Sequence, residues 1–207
     1  NGGFALSKTL TSGTRTTDQA YPHLNLGAAT IEASEFVECI FSDCSFVETI
    51  FKGCRFVSCQ FINCDFSLCK IPGSIFINSS FEDSKIIGVN WAQADWDRVE
   101  IGGLVKFSKC ALNHSTFIGL NLVGLKMLDC HVINVDFRET DLSQADFSGS
   151  DLSDSLFLNT NLNQADFRRA RNYVIDPGAN QLQKAKFSLP EAISLLDHMD
   201  IILEGGD

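Results

Sequence analysis

Basic residues are scarce in this chain. Its 207 residues hold 16 Lys and Arg against 26 Asp and Glu, a net charge of −10. A surface of that sign repels phosphate backbones, so direct nucleic-acid binding is not expected and a basic partner is. Long hydrophobic runs are also missing. No stretch approaches the roughly 18 apolar residues of a membrane span, although a hydrophobic content of 44% suffices for a buried core. The opening NGGFALSKTLTSGTRTTDQ has no signal-peptide core. A cytoplasmic, reducing setting is expected, with the eight cysteines as free thiols.

The signatures of catalysis are lacking too. There is no Gly-rich phosphate loop and no nucleophile elbow. His23, His114, His131 and His198 do not stand at metal or triad spacing, and no C-x2-C knuckle accompanies the cysteines. No catalytic residue, metal or cofactor is expected, and the chain does not read as an enzyme.

What is present is a period of five. Stepping from Ile31 through Phe36, Phe41, Phe46, Phe51, Phe56, Phe61 and onward to Ile101, every fifth residue is large and apolar. One extra residue enters in GGLVKF, and the march resumes from Phe107 to Phe167. Neither the helix, at 3.6, nor the strand, at 2, has this period. Two residues before the centres stand Ala, Ser, Cys, Thr and Val, with only Leu120 and Leu125 larger, and all eight cysteines occupy that place: Cys39, Cys44, Cys54, Cys59, Cys64, Cys69, Cys110 and Cys130. Cysteine in this setting reads as a small buried hydrophobe.

The unit is therefore small-polar-large-polar-polar, as in ADFSG from Ala145 to Gly149 and TDLSQ from Thr140 to Gln144. It closely resembles the pentapeptide-repeat family over residues 29 to 169. The resemblance implies an all-β fold, a right-handed quadrilateral β-helix with one pentapeptide per side and 20 residues per coil. Seven coils at ~4.8 Å each make a rod of about 34 Å. Stacking of coils supplies the stability, because no repeat buries its face alone.

Three segments are expected: a loose lead-in over 1–22, the β-helix over 23–171, and a C-terminal cap over 172–207. In the last, FSLPEAISLLDHM changes period. Ser188 and Glu191 stand at capping-box spacing, and Leu189, Ala192, Ile193, Leu196 and Met199 fall on one face of a short helix. That face is expected to cover the last coil and to form a homodimer, as tails of the family commonly do.

Counting one side per pentapeptide sorts the charges. The side through Phe41, Phe61, Phe81, Ile101, Leu122, Leu142 and Leu162 carries Asp43, Glu82, Asp83, Glu100 and Asp141 with no Lys or Arg. The preceding side carries Glu35, Glu38, Asp95, Asp97, Asp136 and Glu139 against Arg55, Arg98 and Arg138. A third side collects Lys85, Lys106, Lys109, Lys126, Arg168 and Arg169. An acidic contact surface of Asp43, Glu82, Asp83, Glu100 and Asp141, helped by Asp95 and Asp97, is expected. An exposed apolar strip of Val37, Val57, Ile77, Ile118 and Leu158 runs beside it in this count.

Several pentapeptide-repeat proteins bind DNA gyrase as DNA mimics and protect it from quinolones or albicidin. GVNWAQADW and FSLPEA look most like the albicidin-immunity type, while the long loops of the quinolone-resistance members are absent. The resemblance thus implies a type II topoisomerase partner. A general protein-interaction scaffold is the alternative.

Overall fold

The computed structural model describes residues 10–96, 104–199 and 201. Twelve strands of three residues each follow the repeat: β1 Arg15–Thr17, β2 Ala20–Pro22, β3 Thr30–Glu32, β4 Glu35–Val37, β5 Ile40–Ser42, β6 Ile50–Lys52, β7 Arg55–Val57, β8 Gln60–Ile62, β9 Ile75–Ile77, β10 Ser80–Glu82, β11 Lys106–Ser108 and β12 Lys126–Leu128. All pairing is parallel, and in the N-terminal half each residue pairs with the one 20 positions on, as Phe36↔Phe56 and Phe41↔Phe61 show. Isolated bridges such as Asp146↔Asp166 carry the ladders on through the C-terminal half. The fold is a four-sided parallel β-helix.

A strand here can be no longer than three residues. Each side has five residues, and the second residue after the centre turns the corner in the left-handed region, for example Asp18 at φ 52°, Asp43 at 54° and Asn63 at 51°. Short polar side chains tolerate that conformation better than others do. The centre points inward and its two neighbours outward, so β4 reads half-buried, buried, half-buried. Columns of rings fill the interior: Phe41–Phe61 at 5.0 Å and Phe36–Phe56 at 5.2 Å are stacked, and Phe36–Phe41 meet edge to face at 5.7 Å.

The small inward residues do more than fill space. Ser74 Oγ donates to the Phe51 carbonyl at 2.8 Å and accepts from the Cys54 amide at 3.0 Å. Cysteines take the same place, with Cys64 Sγ 3.4 Å from the Phe41 carbonyl and Cys59 Sγ 3.3 Å from that of Phe36. All eight are free and buried. Burial pushes the Cys59 thiol up to about 12.

Three expectations change. First, the chain is already coiled before residue 22: β1 pairs with β4, and β2 with β5. Thr16 and Tyr21 hold the centres there, so the phenylalanine signal is missing while the coil is not. Second, the break is longer than one residue. Phe81 pairs with Phe107, 26 positions on, so this coil exceeds 20 residues by six. Gly102 and Gly103 lie outside the described residues. Third, the tail forms a 3-10 helix over Glu191–Leu196 with no buried residue, and its N-terminus has no side-chain cap. Ser188 Oγ and Glu191 Oε1 instead accept from the amides of Arg169 and Asn172 in the last coil. Those amides would otherwise face the open end of the stack unpaired.

Candidate partner-binding surface

The six-residue excess redistributes the columns. We number the sides in chain order. Side 1 runs through Phe36, Phe56, Phe76, then Leu122, Leu142 and Leu162. Side 2 runs through Tyr21, Phe41, Phe61, Phe81, Phe107, Met127, Phe147, Phe167 and Phe187. Side 3 contains Phe46, Phe66, Ile86, Leu112 and Val132, and side 4 Phe51, Trp91, Phe117, Phe137 and Phe157.

Side 2 brings Asp43, Glu82 and Asp83 together, all exposed. Asp43 and Asp83 belong to one corner column with Asn63 between them, and Asn63 Nδ2 donates to Asp43 Oδ1 at 2.7 Å. Asp95 is half-buried on side 1, where its amide donates to the Ser74 carbonyl. Asp141 also falls on side 1, in the Asn121↔Asp141↔Asn161 column, and not beside Asp83. Its Oδ1 accepts from the Ser143 amide at 2.9 Å, so it holds a turn as well as a charge. Asp136 and Asp166 serve the same way, and the guanidiniums of Arg138 and Arg168 beside them hold both carboxyls below the usual range. Asp97 and Glu100 lie outside the described residues.

Of the basic residues expected on a separate side, Lys85 stays on side 3 opposite Asp65, and the others fall on side 2 as well. Lys106, Lys109 and Lys126 follow Glu82 and Asp83 directly across the break, and Arg168, Arg169 and Lys186 stand further along. The two-sided acidic surface is therefore corrected. Side 2 is acidic over its N-terminal half and carries both signs beyond it. The apolar strip divides in the same manner. Val37, Val57 and Ile77 are in ladder register on side 1. Ile118 and Leu158 follow Phe117 and Phe157 on side 4 and do not extend that strip.

At the C-terminal end, Leu189, Ile193 and Met199 are exposed at 80%, 46% and 56%, whereas Ala192 and Leu196 are half-buried. The side chain that packs on the core is Leu195. Most of the face expected to cover the coil thus points to solvent, because a 3-10 turn of three residues per turn rotates it away from the α-helical placing. Among the described residues no group of His, Cys, Asp and Glu could hold a metal ion, and no helix is long and apolar enough to cross a membrane.

A narrow four-sided coil with a ring-packed interior and charged outer columns defines a rod-like β-solenoid. The sequence matches the pentapeptide repeat region family over residues 29–105 and 103–167, so the chain belongs to that family. No curated protein matches it. Among solved structures it is similar to a trypsin-treated variant of QnrB1, described as a plasmid-mediated fluoroquinolone resistance protein, with TM-score 0.55, 18% identity, 94% of this chain and 99% of that chain covered. HetL of the cyanobacterium Nostoc sp. strain PCC 7120, involved in regulating heterocyst differentiation, is similar at TM-score 0.47 and 12% identity, with 84% of each chain covered. At these identities the likeness concerns the fold.

Proposed function

We propose that this chain is a non-catalytic, DNA-mimicking rod that binds a type II topoisomerase, DNA gyrase, and protects it from an antibiotic in the cytoplasm. The observation that carries the reading is the row of exposed carboxylates Asp43, Glu82 and Asp83 on one side of a parallel ladder. Family membership and the fold shared with QnrB1 support it. A basic groove that holds duplex DNA would accept a rod with such a side. DNA carries one charge per roughly 1.7 Å of axis, far denser than this rod, so the mimicry is of shape and partial charge. Steering by exposed charges also weakens as salt rises.

The test is gyrase supercoiling titrated with wild-type and E82K/D83K protein, with and without albicidin or a quinolone. Wild-type protein should inhibit or protect, and the reversed protein should do so more weakly. A wild type that does neither at micromolar concentration sinks the topoisomerase reading and leaves a scaffold with another protein partner.

The exposed Leu189, Ile193 and Met199 favour a homodimer through the tail, since a second copy would cover an apolar surface that the coil leaves open. Sedimentation of the whole chain beside L189D/I193D should separate dimer from monomer. A wild type that sediments as a monomer removes the dimer.

A further inference from the structure

On side 2 just past the break, Lys106 and Lys126 are direct neighbours in the β11–β12 ladder. Like charges in that relation repel. Lys109 stands exposed at the adjoining corner. Among the described residues none of the three is in an ion pair, although Asp166 pairs with both Arg168 and Lys186 on the same side. Beside the lysine pair runs a groove. Its apolar lining is Leu104 and Val105, both buried, with the half-buried Val123, and its polar lining is Lys106, Lys126 and Gln144.

We propose that this patch docks an acidic segment of a protein partner, one whose Asp or Glu side chains alternate with apolar residues. Two features select a protein carboxylate over a nucleic-acid phosphate. The lysine column gives way at once to Asp146 and Asp166, which a continuous polyanion following the rod would meet. A phosphate backbone also offers nothing to the apolar lining at the base of the groove, whereas an aliphatic side chain next to a carboxylate packs on it. The inference stands apart from the topoisomerase reading. It concerns the part of side 2 that a basic groove would repel, and any partner spanning the break must therefore present both signs.

The probe is a fluorescein-labelled peptide of alternating Glu and Leu, followed by fluorescence anisotropy at low salt against the full chain. Binding should saturate and weaken with added salt. It should fall about tenfold or more in K106Q/K109Q/K126Q, as expected on removing charges that steer association. Circular dichroism of that variant should match the wild type, because all three side chains point outward. The proposal is overturned if the peptide does not bind, or if the triple variant or a Gln-for-Leu peptide binds as well. It is also overturned if labelled duplex DNA binds the patch as tightly as the peptide. Loss of peptide binding in the triple variant with gyrase inhibition intact would separate this site from the acidic one.

Discussion

Ser79 and Cys59 hold equivalent places one coil apart, and the reason is a hydrogen bond rather than hydrophobicity alone. Ser79 Oγ donates to the Phe56 carbonyl at 3.1 Å and accepts from the Cys59 amide at 3.1 Å, while Cys59 Sγ lies 3.3 Å from the Phe36 carbonyl. Reading cysteine as a small apolar filler captures its burial and misses its polar duty. Ser79→Ala strands the buried Cys59 amide, which costs about 1–3 kcal/mol, while the Phe56 carbonyl keeps its place in the β7–β9 ladder. Ser79→Cys keeps a donor of similar size in the slot. Urea unfolding should show a clearly lower midpoint for the alanine variant and a midpoint nearer wild type for the cysteine variant. Equal midpoints for alanine and wild type would leave the slot a matter of volume only.

At the scale of sides and coils, period and position were legible in the sequence to different extents. The phase of the large residues identifies what points inward, because each side spans five residues. It does not identify the side, because sides repeat only every 20. An excess of one residue and an excess of six give the same phase, so Asp141, Ile118 and Leu158 shift by one side without any sign in the pattern. The coils before residue 22 escape for a different reason: Thr16 packs where phenylalanine does later. The last coil is tied down by side chains rather than by a further coil. Asp151 Oδ1 accepts from Ser153 and from Asn172 Nδ2, and Arg171 Nε stands 3.2 Å from Oδ2. Burial alone would raise this carboxyl, but the hydrogen bonds from Ser153 and Asn172 outweigh it and bring it from 3.8 to about 2. A carboxyl depressed on folding stabilises the folded state above its unfolded value. That contribution is lost as pH falls through the folded one. Hydrogen exchange at the amides of Arg171 and Leu152 should therefore speed up between about pH 4 and about pH 2, beyond its intrinsic pH dependence. Asp151→Asn should exchange faster at neutral pH and lose most of that dependence. A wild type whose protection is flat over this range would remove Asp151 as an anchor of the end.

For the whole molecule the question is whether the break divides the rod into two bodies. In a solenoid each coil contacts only its neighbours, so stability is a sum of coil and interface terms. One weak interface would let the halves unfold separately. The interior speaks against a weak interface. Trp91 is 1% exposed, and its ring lies 5.4 Å from Phe76, 5.3 Å from Phe107 and 5.7 Å from Phe117, stacked on the last at 8°. Aromatic columns thus run through the coil that holds the excess residues. The chain has only two tryptophans, Trp91 and Trp96, and both sit next to the break. Trp96 Nε1 donates to the Trp91 carbonyl at 2.8 Å. Tryptophan fluorescence therefore reports on the junction and far-UV circular dichroism on all the coils. In wild-type protein the two should follow one superimposable urea transition. Trp91→Phe keeps a ring in the column and should retain a single transition at a lower midpoint. Trp91→Ala empties the junction at a cost of roughly 3–5 kcal/mol, enough to uncouple neighbouring coils, so circular dichroism should resolve into two steps. Wild-type fluorescence changing well before the dichroism would mean that the aromatic columns do not carry coupling across the break.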